Sequence, residues 1–231
     1  MSAAAIITAR GGSKRIPRKN IRNFCGKPMI AYSIEAALGS GIFDEVMVST
    51  DSREIADVAE EYGASVPFLR SAKTSGDYAT TADVLLEVLS EYERVGQDFT
   101  YMACIYPTAP FVTAEKLRNA FQLLEDSKAC AVMPVVPYSF PPQRGMFVRS
   151  GKLEYCYPEN VQKRSQDLEQ VYHDCGQFYF YRTDEYRACG GRMDRKYVPM
   201  VMPEMEVQDI DNLSDWELAE MKYKLAHKDM D

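Results

Sequence analysis

Two kinds of apolar patterning alternate along the chain. Ala3–Ala9 and Val46–Ser49 are short, nearly unbroken apolar runs that read as strands. Between them, Ile30, Ile34, Ala37 and Leu38 fall on one face of a helix. Asp51, with Glu54 three residues on, has the spacing of a capping box. The helix it would open carries Ile55, Val58, Ala59 and Tyr62 at i, i+3, i+4 and i+7. Leu85, Val88, Leu89 and Tyr92 repeat that spacing, as do Leu117, Ala120, Phe121 and Leu124. Tyr101–Tyr106 predicts a buried strand stopped by Pro107, and Ala129–Val136 another stopped by Pro137. Strands separated by helices of this length imply βαβ units, hence an α/β fold with a mainly parallel sheet and helices on both faces.

After Pro137 the rhythm is lost. Residues 137–180 hold Pro137, Pro141, Pro142 and Pro158 among polar and aromatic residues, without a helical stripe. They read as an inserted arm of strands and loops, either a lid or a dimerisation element, within a single domain spanning 1–231. The chain is expected back in the sheet near Tyr197–Val201. It closes with a helix from Ser214, capped through Glu217 and bearing Leu218, Met221 and Leu225. Ligands of open α/β sheets collect at the carboxyl ends of the strands. Attention therefore goes to the loops after Ala9, Ser49, Tyr106, Val136 and Val207.

Composition narrows the function. A length of 231 residues suits one domain with a substantial core. The formal charge of −7 argues against a nucleic-acid binder. One stretch departs from that average: Arg10, Lys14, Arg15, Arg18, Lys19 and Arg22 fall within thirteen residues that contain no acid. A compact basic loop on an acidic protein suggests a small anion such as phosphate. No run approaches the roughly 20 apolar residues of a membrane span. The apolar start lacks a basic leader, so a cytoplasmic protein with reduced cysteines is expected. Two histidines make a histidine-rich zinc site improbable.

Ala9-Arg10-Gly11-Gly12-Ser13-Lys14-Arg15-Ile16-Pro17-Arg18-Lys19-Asn20 is the first chemical candidate. Glycines directly after a strand let backbone N–H groups approach phosphate oxygens, and Arg10, Lys14 and Lys19 could offset a triphosphate. The loop matches neither a P-loop nor Gly-x-Gly-x-x-Gly, and for a lone basic loop a solvated turn is the plainer reading; its place after the first strand of an acidic chain favours phosphate. Gln208-Asp209-Ile210-Asp211 is the second. In extended chain both carboxylates would point to one side and could share a hard cation such as magnesium. Alternatively, Asp211 merely complements the dipole of the last helix. Tyr106-Pro107-Thr108-Ala109-Pro110 is a rigid strand-end turn. Arg164–Leu168 and Tyr172–Tyr179 are polar and aromatic enough for a polyhydroxylated substrate or for a subunit interface. Adjacent residues on a strand face opposite ways, which weakens a His173–Asp174 dyad, and Cys175 has no evident partner as a nucleophile.

Taken in order, these stretches resemble the CMP-sialic acid synthetase family of cytidylyltransferases over nearly the whole chain. The signature Ala-Arg-x-x-Ser-Lys-x-x-Pro-x-Lys-Asn is present as Ala9, Arg10, Ser13, Lys14, Pro17, Lys19 and Asn20. Val48-Ser49-Thr50-Asp51, Arg70, Pro107-Thr108, Gln166-Asp167-Leu168 and Asp209-Ile210-Asp211 follow. Within the family, Gly26–Ala37, Val66–Arg70 and Ala79–Val84 are similar to the pseudaminic acid enzymes. Tyr106 stands where sialic acid enzymes resemble Leu-Gln-Pro-Thr-Ser-Pro, with the glutamine on the sugar. The resemblance implies a nucleotide-diphospho-sugar transferase fold, Rossmann-like, and transfer of CMP from CTP to the anomeric hydroxyl of a nine-carbon acidic sugar. The rival substrates are sialic and legionaminic acids; the non-catalytic rival is a nucleotide-binding module. The resemblance also implies Arg10, Gly11, Gly12, Ser13, Lys14, Lys19, Asn20, Arg70, Asp77 and Thr80 around the nucleotide, with Arg10 and Lys19 acting on developing charge. Asp209 and Asp211 would be catalytic through magnesium. Tyr106, Thr108, Gln143, Arg144 and Gln166 would meet the sugar, in a homodimer whose arm reaches the partner's site.

Overall fold

The computed structural model describes residues 2–192 and 197–227. Its main sheet has seven strands: β1 (Ala3–Thr8), β4 (Glu45–Ser49), β5 (Tyr101–Ile105), β6 (Ala131–Pro137), β9 (Tyr172–Asp174), β10 (Phe178–Arg182) and β11 (Tyr197–Val201). Two small hairpins lie outside it, β2 (Asn23–Phe24) with β3 (Lys27–Pro28), and β7 (Met146–Arg149) with β8 (Lys152–Tyr155). The order across the sheet is β11-β6-β10-β5-β1-β4, with β9 also paired to β6. β1 runs parallel to β4 and β5, and β11 to β6, whereas β10 is antiparallel to both of its neighbours.

Side-chain alternation on β1 sets the two layers. Ala3, Ala5 and Ile7 pack toward α1 (Met29–Ser40), α2 (Arg53–Glu61) and α5 (Ala114–Asp126). Ala4 and Ile6 pack on the opposite face under α4 (Thr81–Arg94) and α6 (Thr183–Ala188). Both faces of the sheet are therefore covered, which explains why its strands read as continuous apolar runs. A short α3 (Ala72–Ser75) precedes α4. A third cluster joins Phe24, Tyr32, Phe111 and Ile210 to Trp216 and Ala219 of α7 (Leu213–Ala226).

Four expectations need correction. The chain re-enters the sheet before residue 180: β9 and β10 are sheet strands, so the inserted part is narrower, between Pro137 and Tyr172. β10 is an unbroken Phe-Tyr-Phe-Tyr run because it lies in mid-sheet, buried on both faces. Ser52, not Asp51, caps α2 by accepting from the Ile55 N–H, while the Asp51 carboxylate turns to the Gly11 N–H at 2.7 Å. α7 is capped by Asn212 with Asp215 in a reciprocal box, ahead of Ser214. The inward face of α7 is Trp216 and Ala219, because Phe24 and Tyr32 supply aromatic edges there; Leu218, Met221 and Leu225 face outward.

Candidate active site

The carboxyl ends of β1, β4 and β5 are in register, Thr8 beside Ser49 and Ile7 beside Ile105. Antiparallel β10 begins on that same rim, with Phe178 beside Ile105 and the Gln177 carbonyl accepting from the Tyr106 N–H at 2.8 Å. A cleft of about 500 Å³ opens there. Arg10, Ser13, Lys14, Lys19, Asn20, Arg70, Asp77, Thr80, Tyr106, Thr108 and Asp211 all line it. Residues separated by up to two hundred positions are thus brought to one wall by parallel strands ending together.

The basic loop is held from within. Buried Asn20 donates through Nδ2 to the Arg10 carbonyl at 2.9 Å, and Ser13 Oγ to the Ile16 carbonyl at 2.6 Å. Arg18 adopts φ 57°, a left-handed turn rare for a side chain of this size, and leads into the short helix Lys19–Ile21. Lys19 then reaches the Ile210 carbonyl with Nζ at 2.6 Å. Burial lowers the Lys19 ammonium from the usual lysine range, while Asp211 and Asp209 pull the other way. Gly11 and Gly12 do not line the main cleft. Gly11 packs with its missing Cβ 3.1 Å from Ser52 Cβ, a close approach that its lack of a side chain permits.

Arg70 is buried, and its guanidinium donates to Ser49 Oγ at 3.1 Å and to the Ser49 carbonyl at 2.6 Å, locking the end of β4 to the cleft wall. Thr80 caps α4, with the Asp83 carboxylate answering its N–H. Asp77 accepts from Arg10 at 3.0 Å and from Lys14 at 2.5 Å. Tyr106 leans edge-on against Tyr179, ring centroids 5.7 Å apart, and its hydroxyl lies 3.4 Å from Thr81 Oγ1. Tyr179 in turn donates to Asp174 at 2.6 Å.

Asp209 and Asp211 lie on an unpaired segment and line adjoining cavities, and both act on the Lys19 ammonium. Asp211 faces the cleft, where Arg15 Nη2 lies 2.6 Å from its Oδ1. Asp209 faces an adjoining cavity of about 410 Å³ with His173, Asp174 and Lys222. They remain close enough that, after burial, the charge of Asp211 is the next cause raising the Asp209 carboxyl. Among the described residues no cluster of three or more His, Cys, Asp or Glu could hold a metal. Two repelling carboxylates with hard oxygens nonetheless fit a divalent cation that takes the rest of its shell from water and phosphate. Buried Ile210 between them fixes the backbone of both.

Gln143, Arg144 and Gln166 lie on the arm and line none of this cleft. Gln143 Nε2 is engaged by the Glu169 carbonyl at 2.7 Å, and Arg144 by Ser165 at 3.2 Å. His173 and Asp174 form no dyad, since His173 Nδ1 meets the Asp174 backbone carbonyl and the Asp174 carboxylate serves Tyr179 and the Gly176 N–H. Burial pushes the Cys175 thiol up to about 12, which removes the thiolate a nucleophile needs. Sequence reasoning left Arg15 and Tyr179 without individual roles and gave Asp51 only that of a helix cap. Arg15 stood in the basic loop and Asp51 in the strand-end motif, so both carried a signal; the position of Tyr179 behind Tyr106 depends on strand pairing.

The chain is similar to known cytidylyltransferases over most of its length. A family model described as cytidylyltransferase matches residues 4–185. The pseudaminic acid cytidylyltransferase of Campylobacter jejuni serotype O:2 is 39% identical over 229 residues, covering 99% of each chain. The CMP-N,N'-diacetyllegionaminic acid synthase of Legionella pneumophila is 41% identical over 142 residues, 62% of this chain and 61% of that one. A CMP:2-keto-3-deoxy-manno-octonic acid synthetase solved with CTP superposes with a TM-score of 0.68 at 18% identity, covering 99% of this chain and all of the other.

Proposed function

The chain belongs to the cytidylyltransferase family, and from that premise we propose that it transfers CMP from CTP to the anomeric hydroxyl of pseudaminic acid, releasing pyrophosphate. The observation that carries this reading is the convergence of Arg10, Lys14, Lys19, Arg70 and Asp211 on one cleft at the carboxyl rim. Arg10, Lys14 and Lys19, with Ser13 and Asn20, would bind the phosphates. Arg70 and Thr80 would border the nucleoside.

Transfer of this kind depends on positioning and charge neutralisation and needs no covalent enzyme intermediate. Asp209 and Asp211 would hold magnesium, which supplies polarisation of the α-phosphate when bound. Lys19, fixed by the Ile210 carbonyl, and Arg10 oppose the charge that builds as pyrophosphate leaves. In-line displacement puts acceptor and pyrophosphate on opposite sides of phosphorus, and Tyr106 and Thr108 line the cleft for the acceptor. No described helix is long and apolar enough to cross a membrane. We place the reaction in the cytoplasm and the enzyme in a homodimer, with Gln143, Arg144 and Gln166 of the arm serving the acceptor side of the partner's cleft.

Tyr106 supports the choice of sugar. Its one polar tip is turned to Thr81, leaving a ring where an amide would offer two donors and an acceptor. A hydroxyl left buried without a partner costs about 1–3 kcal/mol, or roughly one to two orders of magnitude in kcat/KM. Pseudaminic acid, methyl-terminated and less hydroxylated, is therefore expected to exceed N-acetylneuraminic acid. The test is kcat/KM for pseudaminic, legionaminic and N-acetylneuraminic acids at fixed CTP and magnesium. Equal efficiency, or preference for N-acetylneuraminate, would refute the sugar assignment; no CMP-sugar from any of the three would refute the transfer itself.

A further inference from the structure

The cations assigned above to the nucleotide's phosphates already have a partner. One carboxylate, Asp77, accepts from Arg10 Nη1 through Oδ1 at 3.0 Å and from Lys14 Nζ through Oδ2 at 2.5 Å. Asp77 does not come from the basic loop. It comes from the segment between α3 and α4 on the facing wall of the cleft. That segment is lightly held: Tyr78 beside it is 99% exposed, and one turn bond, from the Ala79 N–H to the Gly76 carbonyl at 3.2 Å, spans it. The hydrogen bond from Lys14 is the leading cause holding the Asp77 carboxyl below the usual carboxylate range, so it is ionised near neutral pH. At the other end of the cleft the signs are reversed. Arg15 sits 2.6 Å from Asp211, a cation resting on a carboxylate assigned to a metal.

Two cations meet at Asp77, and a triphosphate drawn to Arg10 and Lys14 would bring further negative charge to contact distance of it. Like charges that close in a cleft disfavour one another. Asp77 must leave, and its lightly held segment lets it.

We propose that Asp77 is an internal counter-anion, occupying the place of the nucleotide's phosphates and holding Arg10 and Lys14 in position until CTP displaces it. This rests on the cytidylyltransferase reading and reverses the expected role of Asp77: it competes with the nucleotide instead of binding it. The same competition applies to pyrophosphate, so the return of Asp77 to Arg10 and Lys14 favours product release.

The test measures dissociation constants by calorimetry for CTP and for pyrophosphate at one fixed magnesium concentration. Exposed ion pairs are individually weak, so Asp77→Asn is expected to tighten both ligands by about 3- to 10-fold. Asp77→Glu, which keeps the charge, should remain near the wild-type value. In a Lys14→Ala background the gain from Asp77→Asn should shrink, because one of the two competing pairs is already gone. Unchanged or weaker binding of both ligands to Asp77→Asn would overturn the proposal, as would a gain in Asp77→Glu equal to that in Asp77→Asn. Circular dichroism melts check that each variant is folded. A wild-type chain that binds pyrophosphate but shows no preference for CTP over UTP counts against the cytidylyl reading, and the pyrophosphate comparison still decides the role of Asp77. No pyrophosphate binding by any variant overturns both.

Discussion

Replacing Ile210 tests whether the packing behind Asp209 and Asp211 is what gives them their positions. Ile210 is fully buried against Ile16, Phe24 and Trp216, and its carbonyl accepts from Lys19. Ile210→Ala removes three carbons, about 2.4 kcal/mol at roughly 0.8 kcal/mol per methylene, before any cavity term. With the cavity, a loss of about 3 kcal/mol falls inside the measured range for such truncations. Ile210→Val should cost about 1 kcal/mol. At a urea dependence of about 3 kcal/mol per molar, the Ala variant's midpoint falls by about 1 M. Trp216 is the chain's one tryptophan and belongs to the same cluster, so its fluorescence reports the transition locally. Misplacing reacting groups by about 1 Å can cost on the order of 100-fold. In the folded Ala variant, kcat should therefore drop by about 10- to 100-fold, with less change in the KM for CTP. A midpoint shift under about 0.3 M, or an unchanged kcat, would show that Ile210 does not set the geometry of the carboxylates.

Asp211→Ala should abolish turnover and Asp209→Ala impair it severely, with both variants retaining the wild-type urea midpoint; near-normal turnover of the Asp211 variant at saturating magnesium excludes the metal assignment. Val148 and Leu153 face each other across the arm hairpin, 75% and 67% exposed. If the arm joins two copies, the double variant Val148→Asp/Leu153→Asp should sediment as a monomer and lose activity, and a monomeric wild-type protein would remove the dimer from the mechanism.

Local patterns carried much of the fold. The stripes on α4 and α5 and the apolar runs of β1, β4 and β5 were readable because burial repeats at a fixed period. The basic loop and Tyr106 were readable as candidates because each follows a strand, and strand ends gather ligands; Asp211 was readable from its Asp-x-Asp spacing and Arg70 from the family resemblance. Long-range pairing left weaker traces. Phe178–Arg182 looks like a fragment of the arm until its partners Ile105 and Val132 are known, because its neighbours in sequence are polar and irregular. On α7 two apolar stripes coexist, and only the aromatic ring of Phe24, nearly two hundred residues away, selects the one bearing Trp216. Ser52 displaced Asp51 as a cap because Asp51 had a second suitor in the Gly11 N–H, which no local rule counts.

The place of β10 also constrains how the chain can be synthesised and survive. β5 and β6 do not pair with each other; β10 lies between them and bonds to both. On the ribosome, β1, β4 and β5 can assemble early, and β6 emerges soon after, yet both β5 and β6 keep an open edge until residue 182 is out of the tunnel. Tyr101–Ile105 is entirely buried in the finished sheet, so its open edge in the nascent chain is an apolar template for other chains. A chain cut short within the arm would therefore be an aggregating species rather than a smaller enzyme. The arm must be threaded out in full before the sheet behind it can close.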